Sequence, residues 1–301
     1  MAINTTTAAP FIPSIWAQEA LPILRNNIKL VQRVTKDSDL ATFQVGSTLH
    51  IPYPGTLVAN DKAQGSPVTL QTPTSTDTTV TLNKHKEASF LIEDFTAAQA
   101  LPSIRASYLE AAIIAIVEQV ETDVVGTYSL FTGSLGTSGT DLSAATVRAA
   151  AKKFTDNKVA AGNRYLLTST KDIAALRADS TLQQFWAFND NRDRGVTGDT
   201  LPDLYGIQLL ESQLVPVVAG TPNSTKDLAF DPGAIIFASR ALPETQLGTG
   251  AMQTTIQDPV SGLVLRFTTS YSPNNLGVQM TIDCLYGVGK LFDAKGFVVL
   301  T

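Results

Sequence analysis

The feature that most constrains this chain is the run from Phe95 to about Tyr128, where apolar residues recur at three- and four-residue spacing. Leu101, Ile104, Tyr108, Ala112, Ile116, Val120 and Val124 form one row, and Leu109, Ile113 and Val117 form a second beside it. Arg105, Glu110, Glu118 and Glu121 fall mostly elsewhere, so the pattern predicts a helix from Leu101 to Val125 that is buried over a wide arc. Thr96 with Gln99 makes a capping-box pattern and Pro102 suits a first turn, which points to a short helix and then a bend. Read as roughly thirty residues, the segment is a rod about 45 Å long. Burying such side chains is worth roughly 1.5–3 kcal/mol each, so this helix is a spine for whatever packs on it. Gly126, then Gly133, Gly136 and Gly139 among Ser and Thr, end it in a flexible loop. A spine alone suits the core of an enzyme as well as any other large domain.

Composition narrows the field. With 301 residues, 44% of them hydrophobic, the chain can bury a core as one large or two ordinary domains. Its formal charge of -5, with no basic block, argues against tight nucleic-acid binding. A single cysteine, Cys284, excludes an intramolecular disulfide framework. The first ten residues lack the charged and apolar regions of a signal peptide, so export by that route is not expected. The longest apolar run, Ala111 to Val117, is far short of the ~18 residues of a membrane span, so no membrane segment is expected.

Along the chain, residues 1 to about 10 are small and polar and predict a tail. Phe11 to Val34 then reads as an extended stretch followed by one or two short amphipathic helices. Trp16, so near the terminus, is either a plug in its own core or an anchor on another subunit, since Trp is enriched at interface hot spots. Gly46 to Gly55 reads as a strand in which Leu49 and Ile51 alternate with Thr48 and His50, ended by Pro52 and Pro54. Thr56 to Thr81 is rich in Thr, Ser, Asp, Gln and Pro, with scattered Val58, Val68, Leu70 and Val80. That is too little for a core but suits a two-stranded ribbon. A lone hairpin is marginal in water, so such an arm rests on something else, another copy of the protein included; the alternative is a disordered surface loop. Thr81 to Ile92 returns as a strand. After the Gly-rich loop, Leu142 to Phe154 is a helix capped by Asp141 or Ser143. Strands at Tyr165–Ser169, Gly206–Glu211 and Ala234–Ala238, with a helix from Lys171, make a mixed α+β unit, and three more strands follow near residues 262–270, 278–287 and 296–300.

Chemistry is sparse. His50 and His85 lie on separate strands without a Cys, Asp or Glu at metal-ligand spacing. Gly287-Val-Gly-Lys290 resembles the tail of a phosphate loop, but Cys284 and Leu291 stand where Gly and Ser or Thr are required. Asn189, Asn191 and Asp193 are spaced as in a calcium loop, yet the Gly is one place late and Thr200 replaces the bidentate Glu. Cys284 has no basic neighbour on its strand to activate it. No catalytic, cofactor-binding or metal residue is assigned, and the expected function is not enzymatic.

Arm, polar ribbon, spine helix, mixed domain and returning strands follow one another in an order that resembles the major capsid proteins of tailed bacteriophages, the HK-ninety-seven-type fold. The residues that carry the resemblance are Ile12-Pro13-x-x-Trp16, Gly46-x-Thr48-x-x-Ile51-Pro52, Leu82-x-Lys84-His85-Lys86, Phe90-x-Ile92-x-Asp94, Leu204-Tyr205-Gly206 with Val215-Pro216, Ile236-Phe237-Ala238-x-Arg240, and Asp283-x-Leu285-Tyr286-Gly287. The resemblance implies an N-terminal arm over 1–42, an extended loop over 43–95, a peripheral domain from 96–135 and 256–283, and an axial domain from 136–255 and 284–301. It implies a shell subunit that forms hexamers and pentamers around double-stranded DNA, made in the host cytoplasm and carried in the virion, with scaffold, portal and decoration proteins as further partners and no cofactor. Trp16, Ile51, Tyr53, Val58, Lys62 and Leu70 are then the candidate subunit contacts. Some relatives cross-link through a Lys on this loop; Lys62 lies on it, but no motif marks it as reactive. The competing readings are a nanocompartment shell around protein cargo and a soluble enzyme with a β-rich insertion.

Overall fold

The computed structural model describes residues 20, 22–24, 28–37, 48–55, 57–94, 103–183, 203–243 and 251–301. The spine is helix α1, Ser103–Val125, about 34 Å long at ~1.5 Å per residue. Leu109, Ile113, Ile116, Val117, Val120, Val124 and Val125 are buried along it. The two expected rows are therefore used unequally. Tyr108 is 54% exposed and stacks on Phe90 with ring centroids 5.8 Å apart. A strict four-residue row advances about 40° per step around a helix of 3.6 residues per turn, so its early members rotate out of the face that its late members bury. Helix α1 gives way at Gly126 to a 3-10 turn, Gly126–Leu130. Thr96, Gln99, Leu101 and Pro102 lie outside the described residues.

In chain order the strands are β1 (Thr35–Asp37), β2 (Thr48–Pro54), β3 (Ser75–Thr81), β4 (Lys84–Glu93), β5 (Ser134–Gly136), β6 (Tyr165–Thr168), β7 (Gln208–Glu211), β8 (Val217–Val218), β9 (Ser224–Phe230), β10 (Ile235–Arg240), β11 (Ala251–Gln257), β12 (Val264–Ser272), β13 (Gly277–Lys290) and β14 (Gly296–Leu300). The first sheet runs β1-β10-β13-β12-β11, with β4 also on β13. Leu285 and Tyr286 pair with β10 and β4 at once, so those two strands take opposite edges of β13, and β12 pairs with Gly277–Asp283 on the β10 side. Met280, Ile282, Cys284 and Tyr286 alternate onto the face that α1 covers, where they join its core together with Phe237, Leu265 and Phe267. The boundary expected between residues 283 and 284 falls inside this one continuous strand.

The second sheet runs β5-β14-β9-β6-β7, with β8 on β9. Helices α2 (Ala144–Asp156) and α3 (Thr170–Ala178) accompany it. Ser143, not Asp141, caps α2, accepting from the Thr146 amide; Asp141 instead pairs with Lys171 at 3.0 Å. Phe154 meets Phe297 at 4.8 Å between centroids. Strand β9 is buried on both faces: Leu228 and Phe230 enter the core shared with α1, and Ala229 enters the one beneath α2. Double burial explains why its sequence is apolar at consecutive positions and does not alternate.

Candidate assembly interface

The polar segment after β2 builds a ribbon whose strands differ from the expected ones. β2 runs through both prolines to Pro54 and pairs with β3 from Thr48↔Thr81 to Pro54↔Ser75, while residues 57–74 carry no strand. The Gly55 amide donates to the Thr74 carbonyl at 2.9 Å. Because hydrogen-bonded and non-bonded pairs alternate in an antiparallel ladder, Pro52 and Pro54 occupy non-bonded positions, where a missing N–H faces away from β3. The prolines leave this strand intact and blunt its outer edge against further pairing.

Ribbon base and ribbon tip have opposite environments. At the base, Val80 is 1% exposed and packs with Ile236 and Ala238, flanked by Leu49, Ile51 and Leu82. Tyr53 stands edge-on to Phe292 at 5.0 Å. Two of the candidate contact residues, Ile51 and Tyr53, are thus engaged with their own chain. Beyond Gly55, every described residue from 57 to 75 is exposed, including Leu57 at 65%, Val58 at 68%, Val68 at 63% and Leu70 at 90%. Lys62 is exposed on the same tip. The Gln71 side chain brackets Val58, accepting from its amide at 2.9 Å and donating to its carbonyl, so the tip holds a shape without a core. Sequence reasoning passed over Leu57, although it is next to Val58 in an otherwise polar stretch.

Trp16 lies outside the described residues. Farther along the arm, Ala20, Leu24, Ile28, Leu30, Val31 and Val34 are buried in the α1 core. The Glu121 carboxylate on α1 accepts from the backbone amides of Lys29 and Leu30, the latter at 2.8 Å. Strand β1 pairs parallel with β10, and Arg240 closes on Asp37 at 3.2 Å. The inner end of the arm is part of the subunit body.

Both histidines face aspartate: His50 Nδ1 lies 2.6 Å from Asp77 on the ribbon, and His85 Nε2 lies 2.9 Å from Asp283, which also receives Arg266. Among the described residues no group of three His, Cys, Asp or Glu is arranged to hold a metal, and no helix is long and apolar enough to cross a membrane. Burial pushes the Cys284 thiol up to about 12, which leaves it a packing group of the α1 core. Residues 189–195 lie outside the described residues.

No protein-family model matches the chain, and no curated protein does. Solved structures do. A chain from Mycobacterium phage Che8 superposes with a TM-score of 0.60 at 18% identity, covering 84% of each chain. The capsid of Helicobacter pylori bacteriophage KHP30 gives 0.63 at 13% identity over 89% of this chain and 87% of that one. The chain has the fold of tailed-phage capsid proteins. The same capsid fold extends to a virus-like particle from Pyrococcus furiosus, with a TM-score of 0.53 at 10% identity over 95% of this chain and 98% of that one. At such identities the agreement is in the fold alone.

Proposed function

We propose that this chain is the major shell subunit of a tailed phage, assembling with itself as hexamers and pentamers into an icosahedral container for double-stranded DNA, with a structural and not an enzymatic role. One observation carries the reading: on a capsid fold, the ribbon tip projects four large apolar side chains, Leu57, Val58, Val68 and Leu70, with no core of its own to receive them. Covering them returns about 25 cal/mol per Å² of apolar surface, and a neighbouring subunit is the surface a closed lattice supplies at every position. Lys62 lies within the same contact, and Trp16 in the arm supplies a second. The arm, extended loop, peripheral and axial domains divide near residues 42, 95, 135 and 255, with 256–283 returning to the peripheral domain. The charge of -5 suits a wall that surrounds DNA without gripping it. Scaffold, portal and decoration proteins are the further partners of such a shell, which is built in the host cytoplasm and ends in the virion.

Size is the test. Light scattering and negative-stain electron microscopy of the purified protein should give closed particles or discrete pentamers and hexamers; a monomer that also ignores scaffold and crowding would overturn the proposal. The nanocompartment reading has the Pyrococcus particle in its favour, but the phage chains superpose better, at 0.60 and 0.63 against 0.53. Protein in place of DNA inside native particles would reverse that order.

A further inference from the structure

Two aspartates with 0% exposure, Asp172 near the start of α3 and Asp227 in β9, come together beneath the second sheet. They are unequally served. The Asp172 carboxylate accepts from the Leu142 amide at 3.3 Å, from Ser169 Oγ at 2.5 Å and from Thr301 Oγ1 at 3.0 Å. Among the described residues, the hydrogen bond to Asp227 comes from the Ser169 amide, at 3.0 Å on Oδ1. Its Oδ2 is buried with no donor among the described residues, and the group beside it is the Asp172 carboxylate, itself an acceptor. Ser169 therefore has a divided capping box: its hydroxyl accepts from the Asp172 amide at 3.2 Å, but its own amide goes to Asp227, where a capping box would send it to the third helical residue.

Two carboxylates buried side by side cannot both ionise without cost, and a proton on one relieves it. We propose that Asp227 and Asp172 share one proton, carried on Asp227 Oδ2 and donated to Asp172, and that this proton is a structural ligand joining α3, the loop before α2, β9 and the end of β14. Burial, reinforced by the Asp172 charge, pushes the Asp227 carboxyl up to about 8. The other charged groups nearby do not replace the proton. Lys171 Nζ is engaged by Asp141 at 3.0 Å, Lys226 Nζ by Ser224 Oγ at 2.9 Å, and the Asp179 carboxylate by the Ala144 amide at 2.9 Å.

The sign follows from linkage. A carboxyl whose folded value lies above its unfolded value of 3.8 binds its proton more tightly in the native state. Its contribution is complete below about pH 4 and is lost progressively as pH rises through about 8. Infrared spectroscopy of the unmodified protein tests this directly. At pH 7 the carbonyl stretch of a buried protonated carboxylic acid is expected, disappearing on titration through about pH 8. In Asp227→Asn, whose amide can donate to Asp172 without titrating, the band is expected to be absent and this part of the fall in melting temperature between about pH 4 and 9 to be lost. Asp172→Asn is expected to retain the band but move its midpoint down. The proposal is overturned by the absence of the band in the unmodified protein at pH 7. It is also overturned if Asp227→Asn keeps the full pH dependence, or if calcium or magnesium removes the band while raising the melting temperature. The spectrum of the unmodified protein decides even if a variant fails to fold.

Discussion

Tyr286 of β13 donates its phenolic hydroxyl to the Asp123 carboxylate of α1 at 2.7 Å, and Lys84 of β4 reaches the other oxygen of the same carboxylate at 2.8 Å. The spine helix is thus tied to two neighbouring strands near its C-terminal end, within a contact that is otherwise apolar. Burial works to raise the Asp123 carboxyl, but the hydrogen bonds from Lys84 and Tyr286 and the charge of Lys84 outweigh it and hold the group below the ordinary carboxylate range. A depressed folded value contributes stability above the unfolded value and loses it as pH falls.

Removing the charge removes that contribution. Asp123→Asn is expected to destabilise the subunit by about 1–3 kcal/mol at neutral pH, with the gap to the unmodified protein narrowing as pH drops below about 4. Denaturant melts at several pH values measure it; a gap that stays constant into acid would show that Asp123 acts through shape alone. This dependence runs opposite to that of Asp227, so the two are separable in one set of titrations.

Strand β13 reaches its neighbours through glycines. A Cβ at Gly287 would collide with the backbone oxygen of Thr81, and one at Gly277 would lie 2.6 Å from the Ile92 oxygen. Gly287→Ala is expected to cost about 1–3 kcal/mol, as overpacking does where backbone must move. Gly126→Ala, where a Cβ meets nothing within 4 Å, is expected to be neutral or to stabilise by up to about 1 kcal/mol through the unfolded chain. Paired denaturant melts distinguish the two, and equal effects would refute the packing account.

These positions show what a single sequence exposes and what it hides. The spine was legible because Leu109, Ile113, Val117, Val120 and Val124 repeat on one helical face, and β13 because Met280, Ile282, Cys284 and Tyr286 alternate. Local period carries both. That Leu285 and Tyr286 bridge β4 and β10 was not legible, since pairing across more than 190 residues in the case of β4 leaves no local trace. The ribbon was legible as a polar hairpin from composition. Its division into a packed base and a bare tip was not, because Val80 and Val68 are the same residue in similar polar surroundings and only the contacts with Ile236 and Ala238 separate them. The shared proton was hidden for the same reason: Asp172 and Asp227 meet only in the folded chain.

The division of the ribbon sets where a deletion should be harmless to folding. Removing residues 57–74 with a short turn in their place keeps Leu49, Ile51 and Val80 on the subunit. It is expected to leave the melting temperature within about 2 °C of the unmodified protein, a surface effect of roughly ±0.5 kcal/mol, while abolishing normal particles. Removing residues 56–80 also takes Val80 and should lower stability as well. Normal particles from the shorter deletion would refute the role given to the tip.

Single substitutions divide the same two properties more finely. Leu70→Lys changes a side chain that is 90% exposed and Val80→Ala one that is 1% exposed. The first places a charge where an apolar contact with a neighbour is proposed, so it should leave the subunit's denaturant midpoint unchanged and shift light scattering toward small species. The second opens a space beside Ile236 and Ala238 and should lower the unfolding free energy by about 1–3 kcal/mol, and the midpoint with it, with assembly failing only as far as folding does. Trp16→Ala is expected to follow the Leu70 pattern, because Trp16 is proposed as a contact on a neighbouring subunit. A loss of folding in Trp16→Ala would instead make Trp16 a plug in its own core, leaving the ribbon tip as the remaining proposed contact of this chain with its neighbours.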